Sequence, residues 1–292
     1  MKYAWIKKHC DRYPISMMCR LLGVSRNGYY HYRAHGERKE DLRLIALIKS
    51  SFRSSNQTYG TRRIREALWR KYEIALYRRR IGRIMQKEGL VAKRKGRKYI
   101  KTTDSNHNLP IAPNLLNQLF EIAKPNQVYV GDITYIKTKE GWLYLAVVID
   151  LYARMVVGHA IADHMQKELV IEALKRAHVR RGKFMPKAIF HSDRGSQYAS
   201  HDFRKTLKTL RMRQSMSGKG NCYDNAACET FFATLKTELP VQTKHLTQKE
   251  VIDAIDSYIT FYNTKRLHSY NGYLPPLEAE MVLWRNRLKV AA

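Results

Sequence analysis

The chain has 292 residues, enough for two or three domains with separate cores. Its formal charge is +29, and the excess is uneven: residues 1–124 hold 29 Lys/Arg against 9 Asp/Glu, a net +20, while the remainder holds 25 against 16, a net +9. This is the footprint of a polyanion binder, so nucleic acid is the expected partner. A membrane surface is the rival polyanion, but the basic segments are not organised as long amphipathic helices and carry no lipidation signal. The longest uninterrupted apolar run, residues 143–149, is far too short to span a bilayer. The N-terminal MKYAWIKKHCDRYP lacks the apolar stretch of a signal peptide, so a cytoplasmic protein is expected. Cys10, Cys19, Cys222 and Cys228 show no CxxC spacing, and His9 beside Cys10 does not make a zinc pattern.

In chain order, PISMMCRLLGVSRNGYYHYR (residues 14–33) predicts two short helices around a turn. Ser16 is placed to cap the first, Met18, Leu21 and Leu22 to form its apolar face, Gly23 to break it, and Ser25 to cap a second helix bearing Arg26 and Tyr29. This is the helix-turn-helix pattern, with Arg26 on the helix that would enter the major groove. Residues 58–98 predict a second helical unit. Ile64, Leu68, Ile81, Ile84 and Met85 recur at helical spacing, while Arg62, Arg63, Arg65, Arg78, Arg79, Arg80 and Arg83 crowd the other positions. The stretch that follows, including Lys93, Arg94 and Lys95, is almost purely basic; a run this one-sided repels itself without a polyanion, so phosphate contact is expected.

Residues 102–124 predict a linker with a short docking helix over 114–123. From 126 onward the pattern turns to strands, expected over 127–138, 142–151 and 155–162. A helix over 166–180, a strand over 187–191, a helix over 201–210 and a strand over 211–215 follow. Three hairpin-linked strands, then alternating helices and strands, make a mixed α/β sheet.

Three acidic residues lie in separate motifs of this part: Asp132 in VYVGDITYIKT, Asp193 in IFHSDRGSQYAS and Glu229 in GNCYDNAACETFFATLK. Asp132 is predicted mid-strand in an apolar context, where an uncompensated carboxylate is costly to bury. Asp193 ends the next core strand. Glu229 begins a helix that Asp224 or Asn225 can cap, with Phe231, Phe232, Leu235 and Leu239 along one side. Carboxylates gathered from distant segments can hold paired Mg²⁺ ions that clamp the attacking and leaving oxygens of a phosphoryl displacement. Solvated surface charge is the bland alternative, and Asp150 in AVVIDLYAR is a rival for Asp132.

The strings GDITYI, LAVVIDLYARMVVG, HSDRGSQYAS, SMSGKGNCYDNAACETFFATLKTE and FYNTKRLHSYNGYLPPLE resemble the catalytic part of OrfB-type transposases of bacterial insertion sequences, which share the retroviral-integrase core. The helix-turn-helix start and the YGTRRI segment resemble that family's N-terminal region. The resemblance implies a ribonuclease-H-like core whose metal triad maps onto Asp132, Asp193 and Glu229, with the last two separated by the family's own interval of 35 residues. It implies two Mg²⁺ ions, replaceable by Mn²⁺, and a DNA transposase of the bacterial nucleoid. Such an enzyme would nick the terminal inverted repeats to free a 3′-OH and join it to another phosphodiester of a target duplex. Homo-oligomerisation on DNA and an upstream partner or fusion carrying another helix-turn-helix belong to the same expectation. A nuclease or resolvase that cuts without joining, and a DNA-binding regulator with an inactive core, are the alternatives.

The expected organisation is a helix-turn-helix domain at 1–50, a second basic helical DNA-binding domain at 51–101, a linker and docking segment at 102–124, and the catalytic core with C-terminal helices at 125–292. Lys236, seven residues after Glu229 and so two turns along the same helix face, is expected to meet the phosphate near the cut; an ordinary surface lysine is the other reading. Asn263, Arg266 and His268 are expected either to order the C-terminal helix or to contact DNA.

Overall fold

The computed structural model describes residues 2–35, 42–93, 108–117, 122–182, 184–218, 225–239 and 242–291. The chain divides into two compact units, residues 1–49 and 50–292.

In the first unit, α1 (Lys2–His9), α2 (Ile15–Leu21) and α3 (Arg26–His35) close around Ile6, Met18, Cys19 and Tyr29. The expected helix pair is present. Gly23, at φ +62°, turns the chain out of α2, and Ser25 Oγ accepts from Gly28 N at 3.0 Å across the first turn of α3. Two expectations need correction. Pro14, with no side-chain cap, precedes α2 in place of Ser16. Leu21 is 74% exposed, because Cys19 takes the inward position beside Met18. Neither α1 nor α4 (Leu42–Ser54) was anticipated; α1 buries Ile6 alone and so carries no periodic signal.

In the second unit, α5 (Thr61–Tyr72) and α6 (Arg78–Lys87) bury Ile64, Leu68, Ile81, Ile84 and Met85, as their spacing predicts. These helices belong to the same compact unit as the sheet. Tyr59 Oη accepts from Leu267 N at 2.7 Å, and Arg70 Nη2 donates to both oxygens of Glu278 at 2.6 and 2.7 Å. The docking helix expected over 114–123 is not formed at its described residues. Asn114 Oδ1 accepts from Leu116 N and Asn117 N, and Asn117 takes φ +44°, outside the helical region; residues 118–121 lie outside the described residues.

The sheet runs β3-β2-β1-β4-β5, built from β1 (Val128–Thr138), β2 (Gly141–Asp150), β3 (Met155–Ala162), β4 (Ile189–Ser192) and β5 (Arg213–Met216). β1, β2 and β3 form an antiparallel meander, and β4 and β5 add in parallel to β1. β4 and β5 each start two residues later than the sequence predicts, because Lys187 (φ +64°) and Arg211 (φ +56°) are still in their turns. Period-two alternation sends Val128, Val130, Ile136, Leu145 and Val147 to one face, beneath α10 (Ala226–Glu238) and α11 (Gln248–Thr264). Tyr129, Ala146, Val148 and Phe190 take the other face, beneath α7 (Lys167–Arg181), the short α8 (Ser196–Ala199) and α9 (His201–Thr209).

The chain ends with α12 (Pro276–Ala291). Before it, the YNTKRLHSY segment is structural. Asn263 accepts from Val156 N at 3.0 Å and donates to Val156 O at 2.8 Å, covering the outer edge of β3. Arg266 grips Glu238 through two bonds of 2.7 Å, and Tyr258 Oη donates to the same carboxylate at 3.1 Å. Of the two expected roles for Asn263, Arg266 and His268, ordering the core is the one the packing supports.

Candidate active site

Strand register brings the two aspartates together. β1 and β4 pair in parallel with Val130 opposite His191, so Asp132 and Asp193 each stand two residues beyond a paired position on neighbouring strands. β4 stops at Ser192, and beyond that point β1 has no partner on this side. Asp132 therefore sits where an interior strand becomes an open edge. Gly131 lies beneath it, where any side chain would strike the Phe190 ring.

Each aspartate is oriented by a short backbone contact. Asp132 Oδ1 accepts from Ile133 N at 2.8 Å, and Asp193 Oδ1 accepts from Gly195 N at 3.0 Å. Beneath Asp193, His191 is fully buried and reaches Ser215 Oγ at 2.8 Å and Ser217 Oγ at 3.3 Å, while Arg194 Nε donates to Ser217 O at 2.7 Å. The motif HSDRG thus fastens the end of β4 to the end of β5 on both sides of the acid. In the sequence, only their place flanking Asp193 marks His191 and Arg194 for this fastening.

Glu229 lies exposed in the first turn of α10, held from below by Cys228, Phe231, Phe232 and Leu235 in the core. The residue before this helix is Asn225, which makes no side-chain cap; its Nδ2 instead donates to Gly131 O at 3.4 Å. Asp224, the other expected cap, lies outside the described residues.

The three carboxylates share one field. Asp132 is half-buried, and its carboxyl is held well above the usual range, first by burial, then by Asp193; the Ile133 N–H opposes this, Glu229 adds to it, and the Lys236 ammonium opposes it. Tyr198 and Cys228, buried in the cores on the two faces of the sheet, are both pushed up by burial and then by Asp132. Lys236 is exposed as a residue, but its ammonium lies 4.8 Å from the centre of the Tyr135 ring; burial lowers it and Asp132 raises it. The rival Asp150 is excluded from this centre. It is fully buried, with Oδ2 accepting from Asn126 N at 2.8 Å and from Arg181 at 2.9 Å, and Oδ1 accepting from Tyr152 N at 3.0 Å. Burial leads in pushing its carboxyl up to about 6.

Among the described residues no three His, Cys, Asp or Glu side chains close into a ready-made metal cage. Hard oxygen donors on two strands and a helix nevertheless fit Mg²⁺, which usually takes one or two carboxylates and completes its shell with water and substrate phosphate. The repulsion gathered at Asp132 is the charge such an ion would relieve.

Of the expected DNA-contact residues, Arg26, Arg62, Arg78, Arg79, Arg80 and Lys93 are exposed. Arg63 departs from the expectation: it is partly buried, 3.8 Å from Glu238, with its guanidinium over the Tyr59 ring, so it serves the interior. Arg94 and Lys95 lie outside the described residues.

Integrase core domain models match residues 123–222 and 210–276, and an HTH-like domain model matches residues 39–98. The InsF transposase for insertion sequence IS3A of Escherichia coli (strain K12) is 39% identical over 287 residues, covering 96% of this chain and 98% of that protein. The chain belongs to the IS3-family transposases. The insertion element IS600 uncharacterized 31 kDa protein of Shigella sonnei is 45% identical over 263 residues, covering 89% of this chain and 96% of that protein. Among solved structures, the simian T-cell lymphotropic virus intasome with PP2A regulatory subunit B56 gamma gives a TM-score of 0.47 at 17% identity, covering 74% of this chain and 70% of that one. The HTLV-2 integrase catalytic core domain in complex with magnesium gives 0.43 at 18%, covering 54% and 98%. The protein is thus a transposase with a ribonuclease-H-like integrase core and an HTH-like N-terminal region, a metal-dependent polynucleotidyl transferase that acts on DNA. No helix among the described residues is long and apolar enough to cross a membrane.

Proposed function

We propose that this transposase binds the terminal inverted repeats of its element, nicks each end to free a 3′-OH, and joins that hydroxyl to a phosphodiester of the target, with Asp132, Asp193 and Glu229 as catalytic and metal-holding residues. The convergence of these three acids on one electrostatic field at the open edge of β1 carries the reading. Asp132 and Asp193 hold the reacting phosphate's counter-charge from the strands, and Glu229 approaches from the helix. Bound Mg²⁺, as two ions, supplies stabilisation of the attacking and leaving oxygens; Mn²⁺ is expected to replace it. Lys236 places an ammonium beside Asp132 for the phosphate next to the cut.

DNA would be positioned by Lys/Arg contacts to phosphate and specified by base-edge contacts from the helix bearing Arg26. The exposed Arg62, Arg78, Arg79, Arg80 and Lys93 supply backbone contacts, and Arg94 and Lys95 extend the same basic run. Copies of the chain would assemble on the paired ends, with or without an upstream helix-turn-helix partner. The test is end cleavage and strand transfer by Asp132→Asn, Asp193→Asn and Glu229→Gln, beside a gel shift on the inverted repeat. Each variant should lose both reactions and keep binding, and because the acids act as a unit the losses should not add. Near-normal cleavage by any one of them removes that residue from the site, and cleavage without joining by the unmodified protein removes the joining step from this proposal.

A further inference from the structure

A groove of about 660 Å³ opens between the half of β1 that lies beyond its pairing with β4, the C-terminal half of α10 and the 3-10 turn at Thr243–His245. Lys93, Lys137, Lys236 and Lys244 line it, and among the described residues no carboxylate does. Among the described residues none of these four lysines makes an ion pair with an acid. The hairpin's own acid, Glu140, is turned away to accept from Gln248 N at 2.7 Å at the start of α11. Four like charges around one channel repel one another, so the arrangement calls for an anion. The channel is also amphipathic. Ile136 and Leu239 form apolar wall, and behind the lining residues Tyr135 and Lys137 stands Trp142, 45% exposed, its ring edge-on to Tyr135 at 5.1 Å and its centre 5.9 Å from the Lys137 ammonium.

We propose that this groove holds a single strand of DNA running on from the phosphate at the triad, with the lysines tracking its backbone and Trp142 offering a face to an unpaired base. The inference rests on the DNA-cutting reading of the triad. Positive grooves paired with exposed aromatic rings are how proteins hold single strands without regard to sequence. The space is within the range of a small-molecule pocket and suits a nucleotide or two, whereas a duplex, whose major groove alone is about 12 Å wide, does not enter it. Lys236 lines the groove, and its charge also acts on Asp132, which links the groove to the catalytic edge.

The test uses the full chain carrying Asp132→Asn, without divalent metal, so that binding is read apart from chemistry. Labelled oligothymidylate and an inverted-repeat duplex are titrated by fluorescence anisotropy across a salt series. Lys137→Glu with Lys244→Glu is compared with a control of equal charge change on α9, Lys205→Glu with Lys208→Glu. The groove variant should weaken oligothymidylate binding tenfold or more and lower its salt slope by roughly 0.7 for each phosphate no longer neutralised, while duplex affinity changes less than threefold. Trp142→Ala should weaken oligothymidylate binding severalfold without altering duplex binding. Equal losses from the groove and control pairs, or equal losses on the two DNA forms, overturn the groove. If the triad variants lose cleavage while the groove variant binds oligothymidylate normally, the function stands and this inference falls.

Discussion

The side-chain amide of Asn225 reaches the carbonyl of Gly131, so the residue preceding the Glu229 helix is tied to the residue preceding Asp132. At 3.4 Å the bond is long and contributes little to stability. Its value is positional, because it sets where α10 begins relative to the strand that carries the first acid. Asn225 Oδ1 is buried with no hydrogen-bond partner among the described residues. Asn225→Ala should therefore cost about 1 kcal/mol of stability or less and lower the single-turnover cleavage rate by roughly ten- to a hundredfold. The affinity for duplex DNA should not change. Rapid-quench cleavage beside a thermal melt checks this, and an unchanged rate would remove the tether from the mechanism.

A second expectation concerns charge at the site. Burial and the neighbouring acids raise the Asp132 carboxyl, so in the folded protein without metal its ionised form is disfavoured relative to the unfolded chain. Stability from this group is greatest below the unfolded carboxylate pKa and falls as pH rises through the folded one. At neutral pH Asp132→Asn should raise the melting temperature of the metal-free protein. Saturating Mg²⁺ should stabilise the unmodified protein, by about 2.7 kcal/mol at a hundred times its dissociation constant, and should leave Asp132→Asn nearly unmoved. Equal Mg²⁺ responses in the two proteins would place the ion elsewhere.

His268 offers a pH test away from the triad. Burial, then Arg266, Arg63 and Arg154, lower it to about 3 from its ordinary 6.5. The unfolded chain takes up this proton first, so the contribution is fully present above pH 6.5 and is lost as pH falls toward 3. The loss is about 1.4 kcal/mol per pH unit for this group alone. The difference in unfolding free energy between the unmodified protein and His268→Gln should shrink over that window. Parallel curves would show that His268 does not titrate on unfolding.

The basic helices separate two kinds of arginine. Arg78→Gln, Arg79→Gln and Arg80→Gln should each lower the slope of log K against log salt for duplex binding by about 0.9 per phosphate left without its cation. Arg63→Gln should leave the slope unchanged and destabilise the fold, because its guanidinium lies beside buried Glu238. Removing the stronger partner of that acid, by Arg266→Gln, should cost about 3–5 kcal/mol. A reduced salt slope for Arg63→Gln would return that residue to the DNA surface.

The strands and the helix faces were legible because their signals are local. Period-two alternation marks β1, 3.6-residue periodicity marks α5, α6 and α10, and the motif strings carry Asp132, Asp193 and Glu229. What escaped depends on contacts far apart in sequence. Asn225 reads as a helix cap and instead bridges to Gly131. Asp150 reads as a rival acid until Arg181, 31 residues on, is seen to occupy it. Arg63 reads as one of a basic run until Glu238 and Tyr59 are found beside it. The helix expected over 114–123 is absent at residues 114–117, where Asn117 stands at φ +44°, a backbone turn that hydrophobic spacing does not register.

The carboxamide of Asn263 against Val156 has a consequence for how copies of the chain can meet. It supplies one acceptor and one donor at the place where a sixth strand would begin. A second molecule cannot extend the sheet there without first displacing Asn263 and paying the cost of its buried, unpaired amide. With the rim closed at Val156, copies that assemble on DNA as proposed would meet through helix surfaces or the β5 side. Asn263→Ala should expose a hydrogen-bonding edge that favours disordered self-association over the ordered assembly proposed for strand transfer.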